Sequence, residues 1–178
     1  MPGLMIIRPD EGLWFANAEP LREAIIRRVR EADRPVQSVL LDLEMTYELD
    51  IPALDMLAKL KGELERYGTT LLLTRLHHEV RELLERSSVA EQIGHDNVAG
   101  SITEGILLYL ESEPDLAEEE TRLLIERMPH LLDFLSLVKV YAADEEKARL
   151  EQLRERFEEV GRQAESQSAA ERDTSSGV

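Results

Sequence analysis

The chain has 178 residues and no cysteine, which excludes disulfides, thiolate metal sites, iron–sulfur clusters and thiol catalysis. It carries 37 acidic against 21 basic residues, a formal net charge of −16, so a nucleic-acid backbone and a bare anionic membrane would both be repelled. No apolar run approaches the roughly 20 residues that span a bilayer, and Met1-Pro2-Gly3-Leu4-Met5 lacks the basic-then-apolar order of a secretion signal. These features predict a soluble chain with no direct membrane insertion, compatible with a reducing compartment and long enough for one domain with a real core plus an extension.

In chain order, Leu4 to Pro9 predicts a first strand, and Pro9-Asp10-Glu11-Gly12 a turn. Leu13-Trp14-Phe15 predicts a second short strand, so the two form a hairpin. Asn17 marks a helix start with Pro20 in its first turn; Leu21, Ile25, Val29 and Ala32 recur at helical spacing before Asp33-Arg34-Pro35 ends the run. Val39-Leu40-Leu41-Asp42-Leu43 is a strand whose apolar run suits burial on both faces. After a short loop, Asp50 caps a helix from Ile51 to Arg66, and Pro52 suits its first turn because the missing N–H costs little there. Leu54, Leu57, Leu60, Lys61 and Leu64 form its stripe, and Gly68 stops it in the left-handed cap position.

Thr69 to Leu73 is the next strand, followed by a helix over His77 to Arg86 with Val80, Leu83 and Leu84 inward. Val89 to Gly100 holds a weak short strand near Val98, and Ser101 opens a helix carrying Ile102, Ile106, Leu107 and Leu110 on one side. The alternation predicts an α/β fold with a mixed sheet of four to five strands covered by helices. Glu111-Ser112-Glu113-Pro114-Asp115 is a linker, which divides the chain into residues 1–112, a helical extension over 113–165, and a polar disordered tail over 166–178. In the extension, Leu124, Met128, Leu131, Leu135 and Val138 form a stripe that Pro129 should kink. Leu150, Leu153, Phe157 and Val160 follow in steps of three and four, which suits a coiled-coil or packing seam through which a homodimer could form, although two heptads are too few to define a coiled coil.

The stretch Leu13-Trp14-Phe15-Ala16-Asn17-Ala18, preceded by Pro2-Gly3-Leu4, resembles the signature of STAS domains of the SulP type. That fold is shared by cytoplasmic domains of sulfate and bicarbonate transporters and by bacterial anti-sigma factor antagonists. Val39 to Asp42 and Asp50 resemble the family's central strand and the aspartate opening its interaction loop. In the antagonist branch a phosphorylated serine or threonine follows that aspartate; here Asp50-Ile51-Pro52 leaves no hydroxyl to modify. The resemblance implies a non-catalytic regulatory domain of an anion transporter, at the inner face of the membrane. The transmembrane part would precede Met1 or belong to a separate polypeptide. The alternative is a stand-alone signalling adaptor that binds a kinase or sigma regulator through the Asp50 loop.

The remaining chemistry is sparse. His77, His78, His95 and His130 have no metal-ligand spacing, since adjacent helical residues diverge, so no metal or other cofactor is expected. Asp42, Glu44 and Asp50 could supply paired carboxylates, but no nucleophile or phosphate loop accompanies them, and structural and capping roles are expected. Arg75 and Arg81 are read as surface residues, with holding an anion near a helix start as the alternative, and Trp14 as packed against the first helix, with an exposed docking role as the alternative.

Overall fold

A computed structural model describes residues 3–112, together with Glu151, Arg154, Glu155, Glu158 and Arg162. The chain divides into two compact units, Met1–Ser112 and Glu113–Val178. In the second, the five described residues are helical, and Arg154 Nε meets Glu158 Oε1 at 2.9 Å one turn on. The rest of that region lies outside the described residues, including the Leu124–Val138 stripe, the coiled seam with its homodimer, and the 166–178 tail.

The first unit is an α/β domain. It runs β1 (Leu4–Ile7), α1 (Phe15–Arg30), β2 (Ser38–Asp42), α2 (Ile51–Glu65), β3 (Thr70–Thr74), α3 (His78–Glu85), α4 (Ser88–Ile93), a 3-10 turn at His95–Asn97, β4 (Val98–Ala99) and α5 (Ile102–Ser112). The sheet order is β1-β2-β3-β4 and every pairing is parallel. Strands added in sequence by right-handed crossovers place all the connecting helices on one face. The other face then needs a separate cover, and α5 supplies it: a Cβ on Gly105 would come 2.6 Å from Leu40 Cδ1, so glycine lets the helix approach β2. Tyr109 and Leu110 follow as its buried side chains.

Alternation along the strands sorts the core. Val39, Leu41, Leu71 and Leu73 join Ile25, Val29, Leu57, Leu60 and Leu64 in the main cluster beneath the crossover helices, while Leu40 lies toward α5. Each such leucine, buried completely, contributes about 2 kcal/mol. Helix α2 ends in paired bonds, Thr69 N–H to the Leu64 carbonyl and Gly68 N–H to Glu65, both 3.0 Å, with Gly68 at φ 68°. This is the left-handed stop expected of that glycine.

The predicted hairpin is absent. Leu13 and Trp14 are not in a strand, and the only described partner of β1 is β2, in parallel. Two interactions account for the difference. The Leu13 N–H donates to Thr46 Oγ1 at 3.0 Å, which ties it to a distant loop, and Asn17 starts the helix early. Asn17 Oδ1 accepts the Trp14 N–H at 2.9 Å while Asn17 Nδ2 donates to the Gly12 carbonyl at 2.8 Å. Asn17 therefore secures the helix start from the third helical position rather than opening it. Pro20 accordingly falls in the second turn of α1, not the first.

Candidate functional site

In a parallel sheet every strand ends on the same edge. The loops 8–14, 43–50 and 75–77 and the N-termini of α1, α2 and α3 therefore meet at the carboxyl edge. Two arrangements of side chains form there.

The first is ionic. Asp42, the last residue of β2, is buried, and its carboxylate receives Arg75 through both Nε, at 2.9 Å, and Nη2. Its Oδ1 also accepts the Glu44 N–H at 3.2 Å, and Arg8 approaches at 3.9 Å. Glu44 bridges the two arginines, 2.5 Å from Arg8 Nη2 and 2.7 Å from Arg75 Nη1. Burial pushes the Asp42 carboxyl up, but the Arg75 hydrogen bonds, the Glu44 amide and the arginine charges outweigh it and hold it below the ordinary carboxylate range. The same contact with Asp42 raises Arg75 above its ordinary value. Arg75 adopts φ 56°, a left-handed conformation that L residues adopt rarely, and its N–H donates to the Ala99 carbonyl at 3.3 Å. The backbone turns there to point the guanidinium back over the sheet end. Arg75 is thus tied into the fold rather than being the surface residue expected.

The second arrangement joins two helix starts. Asp50 Oδ1 accepts the Ala53 N–H at 2.9 Å, capping α2, and Oδ2 accepts the Phe15 N–H of α1 at 2.8 Å. One carboxylate therefore serves both N-termini, where the helix dipoles favour negative charge. The result brings the residue before Ile51 onto the start of α1, with Pro52 at the second position of α2. Trp14 meets Phe15 edge-on, with centroids 5.0 Å apart. Trp14 is 47% exposed, so it does not pack into the first helix as expected. Of the stretch Trp14-Phe15-Ala16-Asn17-Ala18, only Ala18 is buried.

The loop between Asp42 and Asp50 is pinned at intervals. Leu43, Thr46 and Leu49 are buried, and Gly12 passes so close that a Cβ there would lie 2.8 Å from the Met45 carbonyl oxygen. His77 Nε2 lies 2.7 Å from the Glu44 carbonyl oxygen, and its ring stacks on Tyr47 at 4.2 Å. Met45, Tyr47 and Glu48 face solvent between these anchors. Asp50, Ile51 and Pro52, expected to form an interaction loop, open α2 at this edge; Asp42, Glu44 and Arg75 were singled out separately, but their joining with Arg8 in one network was missed. The available signal was a charged residue directly after β1, within and after β2, and after β3; the hairpin expectation hid it by turning β1 away.

A parallel sheet with helices on both faces, opening at its carboxyl edge onto a doubly capping aspartate, defines a small α/β domain. The STAS domain profile matches residues 1–104, and the chain belongs to that family. It is 36% identical over 98 residues to a probable sulfate transporter of Mycobacterium tuberculosis, covering 55% of this chain and 18% of that protein. The chain therefore matches about a fifth of that curated relative's length. The STAS domain of a Vibrio cholerae SulP transporter superposes with a TM-score of 0.53 at 21% identity, covering 65% of this chain and 87% of that one. A candidate anti-sigma factor antagonist from Thermotoga maritima gives a TM-score of 0.52 at 14% identity, covering 60% and 86%. Among the described residues, no helix is long and apolar enough to cross a membrane.

Proposed function

We propose that residues 1–112 act as a non-catalytic regulatory and interaction domain of a SulP-type anion transporter, on the cytoplasmic side of the membrane. The likeness to the Mycobacterium tuberculosis protein carries this reading. The geometry agrees with it in two respects. Asp42 is held by Arg75, and Asp50 by two backbone amides, so neither carboxylate is presented to a substrate for acid–base work. Ile51, the residue after the capping aspartate, has no hydroxyl, so the phosphate switch of the antagonist branch has no acceptor there.

An immunoblot of fractionated native cells, with an antibody against this domain, tests the proposal. The expected result is a membrane-associated species that copurifies with a transporter, either within one long polypeptide or as a separate subunit. Recovery only as a small soluble species with no transporter partner overturns it. That outcome would favour a second reading, a stand-alone signalling adaptor, which draws support from the Thermotoga maritima protein, most of whose length this fold covers. The adaptor would then lose its partner on Asp50→Lys.

A further inference from the structure

Most large apolar side chains in residues 3–112 are buried, yet Phe15, Tyr47 and Ile51 are 62%, 63% and 60% exposed, and Trp14 joins them. Trp14 rests edge-on against Phe15, and Asp50, directly before Ile51, accepts the Phe15 amide while capping α2. Tyr47 lies three residues before Asp50 at the same edge, its ring stacked on His77. An exposed cluster of this kind, held on rigid helix starts, is the composition of an interface anchor rather than of scattered surface residues.

The unpaired exposed charges on its own loops are acidic. Asp10, Glu11, Glu48 and Asp55 are exposed on the same loops and on the first turns of α2, with no ion pair among the described residues. Two cations of this edge are already engaged, Arg8 by Glu44, and Arg75 by Asp42 and Glu44; Arg81, in the first turn of α3, is part-exposed with no ion pair among the described residues. We propose that this surface docks a polypeptide segment whose apolar anchors are bordered by Lys and Arg. The chemistry rests on the patch and its acidic rim. The identity of the partner rests on the transporter reading, because cytoplasmic loops of membrane-spanning chains carry an excess of Lys and Arg. A second copy docking face to face would set acid against acid, and an anionic bilayer meets the same repulsion.

Trp14, the only tryptophan, stands inside the patch and reports on its occupancy. The full chain is titrated with a synthetic amphipathic peptide of Leu, Phe and Lys, and with its counterpart carrying Glu for every Lys. The expected result is a saturable blue shift of Trp14 emission with the Lys peptide alone. Affinity should fall about tenfold or more for Ile51→Ser and for Glu48→Lys, the loss of one anchor or of one rim charge near it. Glu85→Lys, the same charge change at the far end of α3, should alter it less than about twofold. Circular dichroism of each variant controls for folding.

Equal binding of the Glu peptide, absence of binding, or indifference to Ile51→Ser overturns the proposal. So does a blue shift on self-association seen by sedimentation, or one produced by phosphatidylserine vesicles without peptide. Failure of the peptide with transporter copurification intact removes this docking surface alone. Peptide binding without copurification removes the transporter reading and leaves the surface.

Discussion

Asp42 and Asp50 bracket one loop at the same edge of the sheet, and the protein uses them in opposite ways. Asp42 is buried and neutralised by charge: Arg75 grips it, Arg8 approaches it, and its proton affinity falls. Asp50 is half-buried and satisfied by backbone: two amide hydrogens from two helices occupy its two oxygens. A charge taken into a low-dielectric interior needs a counter-charge, whereas one at a helix start needs only the amides that the helix leaves unpaired. Both ends of the loop are fixed, and Tyr47, Glu48 and Ile51 stand exposed between and just beyond them, within the docking surface proposed above.

Leu41→Asp would remove the scaffold that both aspartates share. It places an unpaired charge at a position with no solvent access in the central strand, and the domain should lose cooperative thermal unfolding altogether. A wild-type melting temperature for this variant would contradict the central place of β2. Arg75→Ala breaks the ionic end alone. Asp42 would stay buried with a distant Arg8 as its remaining cation, and stability should fall by about 3 kcal/mol in urea unfolding. A loss below about 1 kcal/mol would mean that solvent already screens the pair.

Acid sharpens the same contrast. The Asp42 carboxyl titrates below its unfolded value, so its stabilisation is fully present above the ordinary aspartate pKa of about 3.9 and is lost as pH falls through the folded value. The stability gap between the parent chain and Asp42→Asn should therefore be widest near neutral pH and close on acidification, as read by thermal melts across pH. A gap independent of pH would remove the charge argument. At the other end of the loop, Asp50→Ala removes one helix cap and one cross-helix bond, for an expected loss of about 1 to 2 kcal/mol by chemical denaturation. Its hydrogen-exchange signature should appear at the Phe15 and Ala53 amides together; protection lost at only one would show that the carboxylate does not join the two helices. Ile51→Ser, on the exposed patch, should change stability by less than about 0.5 kcal/mol in the same assay, which separates its expected effect on docking from any effect on folding.

Much of this was legible from local pattern. Val39 to Leu41 announced a strand buried on both faces, Asp50 and Pro52 a helix start, Gly68 its stop, and Val98 the short last strand; the structure has each of them. The hairpin failed because Leu13-Trp14-Phe15 has β-favouring residue types, and short propensity runs yield to tertiary hydrogen bonds. Asn17 and Thr46, one local and one thirty-three residues away from Leu13, decided that Trp14 would cap a helix. Trp14 was expected packed for the same reason: residue type predicts burial only on average, and at this helix start it meets Phe15 edge-on and stays half exposed.

The sequence by itself therefore determined the alternation of strands and helices from Val39 to Leu84, the helix types with strong periodicity, the capping aspartate and the absence of a hydroxyl at Ile51. These follow from residue chemistry and spacing along a few consecutive turns or pleats. Only the tertiary structure decided that β1 pairs in parallel with β2, that Arg8, Glu44 and Arg75 converge on Asp42, and that Asp50 serves two helices at once. Those facts join residues as much as thirty-five positions apart. Their free energy comes from burial and charge pairing that exist only after the sheet has formed, and local sequence carries no record of which distant group will arrive.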